Sequence, residues 1–364
     1  MSRILILGGT GRIGNSVARD ILAHTTGEIT VTGRRTPPEN AFAGDRVRFL
    51  PLSLADETAL GEAISGHDLV IHCAGPFRDR DRRVLEICIH QGKNYLDVSD
   101  DPPFVREALS LKDTAAANGV TAIVSTGVFP GIANSMARQA VESLDSPDTL
   151  RLSYAVAGSG GAGVTVMRTT FLELQHPFDG WIDGKWQSVK PYSEREIVKF
   201  PPPYGDAGVY WFHTVEAATL PLSFPHLRSV ITKFGSIPDF YNYLTWMVAQ
   251  LPSGWLKKPE MVEFLSQISY AMTQVTDRLT GVGIAMQLQV TGLKDRQPGR
   301  IIATFCHDNT ATAAGAGTGS VAELLLSGEL QKPGVWPVEQ AVTTPLFQRT
   351  MQARGMEIQV EFSG

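Results

Sequence analysis

Cysteine is nearly absent: Cys73, Cys88 and Cys306 are the only three in 364 residues. An odd total with no Cys-x-x-Cys argues against a disulfide framework or a thiolate metal site and suits a reducing cytosol. Clustered histidine is also missing. The eight histidines are scattered with no His-x-x-x-His pair, so no metal is expected. There is no excess of positive charge, since 32 Lys plus Arg stand against 37 Asp plus Glu for a net −5. This removes a basic nucleic-acid binder as the first assignment. No apolar run approaches the roughly 20 residues of a membrane span, and no period of 20 to 50 residues repeats. The opening MSRILILGG passes from strand to glycine turn, leaving no room for a secretory signal. A cytoplasmic protein is the expectation.

What is present is globular. Hydrophobic residues make up 43% and charged residues 19%, and the length exceeds what one ordinary core fills, so two domains are expected. Residues 1 to 124 alternate short apolar strands with helical spacings. Strands are predicted at Arg3–Leu7, Glu28–Thr32, Val47–Leu50, Asp68–His72, Asn94–Asp97 and Thr121–Val124. Helices are predicted at Ile13–Leu22, Glu57–Ile64, Arg82–Gln91 and Phe104–Asn118, with Thr36–Gly44 a loop. Such alternation gives an α/β, Rossmann-type doubly wound parallel sheet.

After Ser125–Gly131 the rhythm changes to an α+β pattern with a mixed or antiparallel sheet. Helices are expected at Ile132–Leu144, Val164–Leu174, Phe240–Leu251, Pro259–Leu279, Ser320–Ser327 and Thr344–Ala353. Strands are expected at Thr149–Ala157, Ala285–Gly292, Arg300–His307 and Glu357–Glu361, with a hairpin around GWIDGKWQ. The division is thus 1–130 for nucleotide binding, 131–340 for substrate and dimerisation, and 341–364 as a terminal helix and strand packing back on the first domain. Ile237–Lys258 concentrates aromatics and Met beside two lysines. It reads as a domain or subunit interface, a lid, or a peripheral membrane contact.

The nucleotide signal is Gly8, then Gly9-Thr10-Gly11-Arg12-Ile13-Gly14 between a strand and a helix. In a Gly-x-Gly-x-x-Gly turn the first glycine permits the bend, the second admits pyrophosphate, and the third lets helix and strand touch. At the end of the second strand, where NAD binding calls for a carboxylate, stand Arg34 and Arg35. Guanidinium pairs with a 2′-phosphate, which selects NADP. Neither a Walker-type ATP motif nor the Tyr-x-x-x-Lys of short-chain dehydrogenases occurs.

Further along, the fourth strand ends DLVIHCAGPF, the fifth reads NYLDVSD, and the sixth leads into STGVFPGIAN. With the opening glycine motif, this succession resembles the saccharopine dehydrogenase-like family over about the first 140 residues. LLLSGEL, GVWPVE and FQRTMQARG near the end resemble its tail. The resemblance implies NADP-linked hydride transfer, typically at a C=N bond of an amino-acid-derived substrate, in a two-domain and often dimeric enzyme. Members that reduce other double bonds, including lipid ones, keep the substrate open.

Ala74, Gly75, Pro76 and Phe77, with Gly127, are expected to wall the cofactor. Asp97, Ser99 and Asp100 follow the fifth strand, and Asp97 and Ser99 are candidate catalytic residues beside His213 and His307. Phe129 and Asn134 are candidate substrate contacts, as are Thr165 and Arg168 at the start of a helix, where an arginine could hold a carboxylate. Three functions are carried forward: an NADP-dependent oxidoreductase acting at C=N, a reductase of a lipid or isoprenoid-like double bond, and a non-catalytic NADP sensor. A small-molecule substrate and a homodimer are expected for the first.

Overall fold

The computed structural model describes residues 1–36, 42, 45–158, 164–251, 258–280 and 282–364. Side chains of Thr165, Val166, Thr169, Gln274, Val275, Thr276, Arg278, Leu279 and Thr280 are outside that description, as is most of the Thr36–Gly44 loop and the glycine cluster before Val164. Two compact units emerge, Met1–Ser135 with Ala311–Met356, and Met136–Thr310 with Glu357–Gly364.

In the first unit the strands are β1 (Arg3–Leu7), β2 (Glu28–Gly33), β3 (Val47–Pro51), β4 (Leu69–His72), β5 (Asn94–Asp97) and β6 (Thr121–Val124). They form one parallel sheet in the order β3, β2, β1, β4, β5, β6, with Gly334–Pro337 added beside β6. Continuous apolar runs make this possible. Ile4, Leu5, Ile6 and Leu7 are all fully buried, as a strand covered on both faces requires. The helix Arg12–His24 turns Gly14, Val17, Ala18 and Ile21 inward, one stripe at helical spacing. Because the strand order reverses between β1 and β4, their carboxyl ends open the crevice where doubly wound sheets bind ligands.

Two helices differ from expectation. Phe104–Asn118 is divided into Pro102–Leu109 and Lys112–Ala117. At the break the Ser110 hydroxyl bonds back to the Glu107 carbonyl at 2.6 Å, a local bond that competes with the helical ladder. The helix expected at Ser320–Ser327 instead spans Thr310–Leu326 and takes in the glycine cluster Gly315–Gly319. Close approach explains these glycines. A Cβ at Gly315 would lie 2.7 Å from the Ser16 carbonyl carbon, and one at Gly317 would overlap the Gly127 carbonyl oxygen. Gly317→Ala is therefore expected to destabilise the fold by about 1–3 kcal/mol, the usual cost of overpacking, read as a lower urea midpoint at unchanged slope.

The same helix moves the domain boundaries. The chain re-enters the first unit at Ala311, not at residue 341, and Ile358–Ser363 joins the sheet of the second unit. Arg354, 1% exposed as a side chain, fastens the returning segment by ion pairs to Asp20 and Glu323.

The second unit is built on a mixed sheet. Its strands run in the order Glu196–Phe200, Gly205–Trp211, Ser229–Ile237, Ser146–Ala157, Gly283–Lys294, Gln297–His307 and Ile358–Ser363. Ser229–Ile237 and Ser146–Ala157 are parallel, and the other pairs along this path are antiparallel. The expected hairpin is Phe178–Ile182 with Lys185–Val189. Asp183 and Gly184, with φ of 51° and 74°, make the turn that right-twisted strands prefer. On one side of the sheet Phe171, Leu174, Tyr192, Tyr210 and Val262 form a core cluster in which the Tyr192 and Tyr210 rings stack at 4.4 Å.

Candidate dinucleotide site

Three segments meet at the carboxyl ends of β1, β2 and β4. The turn after β1 is drawn tight by Gly11 N donating to the Gly8 carbonyl at 2.9 Å. Gly14 touches this turn so closely that a Cβ there would overlap the Gly8 carbonyl oxygen. The helix Arg12–His24 then starts at Gly11 with no side-chain cap, which leaves its first N–H groups and the positive end of its dipole to a ligand. Those features fit a pyrophosphate.

The second segment is the end of β2. Thr32 fixes it to the glycine turn, its hydroxyl accepting from Gly8 N at 3.2 Å and its carbonyl from Thr10 N at 3.3 Å. Just beyond, Arg34 and Arg35 are exposed, and no carboxylate lies between Thr32 and Arg35. This matches a phosphate on the ribose rather than free hydroxyls.

Ala74–Phe77 supplies the third segment. Gly8 packs against Ala74, where an added Cβ would come within 2.8 Å of the Ala74 Cα. Arg80 pins the turn, donating from Nε to the Ala74 carbonyl at 2.7 Å and from Nη2 to the Gly75 carbonyl at 3.1 Å. Phe77 is buried, edge-on to His72 at 5.0 Å and to Phe104 at 5.0 Å. Sequence reasoning missed Arg80 because four arginines fall within Phe77–Arg83 and nothing in the pattern separates them. It also missed Thr32, one polar residue among β-branched strand residues.

The other candidates are distributed less simply. Asp97 and Ser99 are fully buried at the end of β5. The Asp97 carboxylate accepts from Ser99 N at 3.0 Å, Ser99 Oγ at 2.6 Å, Ser125 N at 2.7 Å and Tyr95 Oη at 3.1 Å. Ser125 reaches it from left-handed backbone, with φ of 61°. Burial pushes the Asp97 carboxyl up, and these four donors pull it back. The arrangement is an internal clasp between β5 and β6, so neither side chain meets solvent.

Gly127 and Asn134 are buried as well. Asn134 braces the GVFPG loop, accepting from Gly131 N at 3.1 Å and donating to Glu339 at 3.0 Å, which makes it a support of that loop; Phe129 is half-buried.

His213, Thr165 and Arg168 belong to the second unit. His213 Nδ1 lies 2.9 Å from Glu173 and its ring stacks on Phe178 at 5.1 Å. Arg168, on the same helix as Glu173, is paired with Glu263 by two hydrogen bonds, at 2.9 and 2.5 Å. His307 Nδ1 accepts from Asn309 N at 2.9 Å. Among the described residues no cluster of three or more His, Cys, Asp or Glu could hold a metal ion, and no helix is long and apolar enough to cross a membrane.

Fold and glycine turn together define a dinucleotide-binding protein of the doubly wound type. Comparison with known proteins narrows this: residues 4–123 match the model of the saccharopine dehydrogenase NADP binding domain, which makes NADP the dinucleotide of this segment. A human saccharopine dehydrogenase-like oxidoreductase is 34% identical over 83 residues, which is 22% of this chain and 19% of the relative. A probable mitochondrial saccharopine dehydrogenase-like oxidoreductase of Arabidopsis thaliana is 26% identical over 151 residues, 35% of this chain and 32% of the relative. The matches thus span a third or less of either curated relative. Among solved structures, apo histidine-tagged saccharopine dehydrogenase (L-Glu forming) from Saccharomyces cerevisiae superposes with a TM-score of 0.67 at 14% identity, covering 100% of both chains. An engineered D-amino acid dehydrogenase bound to NADP+ gives 0.50 at 13% identity over 97% of this chain and 99% of that one. At these identities the likeness is one of fold.

Proposed function

We infer that this protein is an NADP-dependent oxidoreductase that transfers hydride to or from a C=N bond of an amino-acid-derived substrate. The observation that carries the reading is the meeting of an uncapped helix start, an exposed arginine pair and the Ala74–Phe77 turn, all within the family-matched segment. Bound nicotinamide would supply the hydride chemistry, and the chain's work is to bind and orient. Gly8–Gly14 would hold the pyrophosphate, Arg34 and Arg35 the 2′-phosphate, and Ala74–Phe77 one wall. Phe129, Thr165, Arg168 and His213 remain the substrate-side candidates. Support for the substrate class comes from fold neighbours whose names give saccharopine and D-amino acids as what they act on.

A second reading, reduction of a lipid or isoprenoid-like double bond, has its own observation. Phe240, Tyr243, Trp246 and Met247 on the helix Phe240–Ala249 are each between 44% and 57% exposed, an apolar face suited to greasy substrate or membrane. The test is loss of reduced-nicotinamide absorbance with amino acid and keto acid mixtures against enoyl lipids, paired with liposome flotation. Turnover with the former and no flotation supports the first reading. Turnover with enoyl lipids alone replaces it, and NADPH binding with no turnover on either set favours a sensor. A cytoplasmic homodimer is part of the proposal, and light scattering at 39.5 kDa would remove the dimer.

A further inference from the structure

At the carboxyl ends of β4, β5 and β6 the sheet carries a buried polar chain that cofactor binding leaves unused. His72, Tyr95, Asp97 and Ser99 are 0% exposed and Ser125 1%. Tyr95 Oη donates to Asp97 Oδ2 at 3.1 Å, and His72 Nδ1 lies 3.2 Å from Tyr95 Oη. A tyrosine has one hydroxyl proton, and here it is committed to Asp97. The bond to His72 therefore requires His72 to donate, which fixes imidazole as the Nδ1–H tautomer. Its other nitrogen, Nε2, is a buried lone pair with no hydrogen-bond partner among the described residues. Burial agrees with a neutral ring, holding His72 down at about 3.

This chain has a second consistent arrangement. A proton arriving at His72 Nε2 lets the Nδ1 proton pass to Tyr95 Oη, and the Tyr95 proton passes to Asp97 Oδ2. Every hydrogen bond is kept with its direction reversed, the carboxylate becomes a neutral acid, and His72 ends as the Nε2–H tautomer. One proton enters and none leaves, so the chain's charge goes from −1 to 0. The groups that face it do not compete for that proton. Burial pushes the Cys73 and Cys88 thiols up, leaving them neutral, while Arg80 and Asp81 act on His72 with opposite signs.

We propose that His72, Tyr95 and Asp97 form a two-state proton relay that responds to the charge of the nicotinamide ring. This rests on the NADP reading. With Arg34 and Arg35 at the end of β2 taking the adenosine side, the nicotinamide half falls to the β4–β6 side of the strand reversal, above the relay. Oxidised nicotinamide carries a positive charge that the anionic relay attracts, and reduced nicotinamide carries none. Oxidised cofactor thus holds the relay in its anionic form, and replacement by reduced cofactor lets it take up a proton.

Two measurements test this. Dissociation constants for NADP+ and NADPH are determined from pH 5.5 to 8.5 on the wild type and on Asp97→Asn. In the wild type the ratio of the NADP+ constant to the NADPH constant rises by about tenfold as pH falls, a shift that one partly screened charge supplies. Asp97→Asn, whose amide mimics the protonated acid, holds the high ratio at every pH. A flat wild-type ratio, or a variant that still varies like the wild type, overturns the relay. Nitrogen NMR of labelled histidine in the free protein is the second readout. At neutral pH His72 carries its proton on Nδ1 in the wild type and on Nε2 in Asp97→Asn, whereas Tyr95→Phe uncouples the tautomer from residue 97. An Nε2–H His72 in the wild type at neutral pH overturns the proposal by itself. Absence of binding by either nucleotide removes the NADP reading, and with it the sensing of cofactor charge.

Discussion

Replacing both Arg34 and Arg35 by alanine is expected to weaken NADPH binding by about two orders of magnitude, while NADH changes by less than about threefold. Each arginine is exposed just past the end of β2, free to reach a phosphate and flanked by no carboxylate in that segment. A charge-assisted hydrogen bond to phosphate contributes about 1.5–3 kcal/mol, and two such contacts at a solvated edge give roughly 3 kcal/mol after screening. NADH has no phosphate at that position and so loses nothing specific. Fluorescence titration of the double variant with each nucleotide gives both numbers. Equal losses would assign the arginines to general structure, and no loss would put the 2′-phosphate elsewhere.

Arg354→Ala is expected to cost about 3–5 kcal/mol of folding stability, the range for removing one partner of a buried ion pair. Arg354 Nε bonds both Asp20 oxygens at 3.0 Å, Nη2 bonds one of them at 2.8 Å, and Nη1 bonds Glu323 at 2.8 Å. Asp20 is nearly buried, and burial already pushes its carboxyl up while Arg354 pulls it back. Without the guanidinium, the nearly buried Asp20 carboxylate is left beside that of Glu323, whose side chain is 29% exposed. Because Asp20 lies on the helix that begins at the glycine turn, NADPH affinity should fall along with the urea midpoint. A loss below about 1 kcal/mol would show that the returning segment is held by apolar packing alone.

The nucleotide half was legible because its signals are local and repetitive. β1, β5 and β6 lie where the sequence places them, and the glycine turn stands between the strand and helix it must join. Tyr95 and Asp97 also carry a readable sign, since two residues at spacing two on a strand share one face. What they face was not readable: the Ser125 N–H that completes the clasp arrives from a different strand, through a left-handed residue that is not glycine. The Gly315–Gly319 cluster misled for a related reason. Glycine in sequence signals a turn, and only the packed structure shows a helix lying so close to Ser16 and Gly127 that any side chain would collide. In the second unit Glu196–Phe200, Gly205–Trp211 and Ser229–Ile237 were not among the expected strands, because the glycines and charges within them mask the alternation that their pairing produces.

The most direct test of the account is titration of the purified protein with NADPH and with NADH, followed through fluorescence of the reduced nicotinamide. Saturable binding of NADPH is expected at concentrations at least about tenfold below those needed for NADH, the difference one to two phosphate contacts produce. Binding of neither nucleotide would contradict it, and a preference for NADH would overturn the assignment of Arg34 and Arg35.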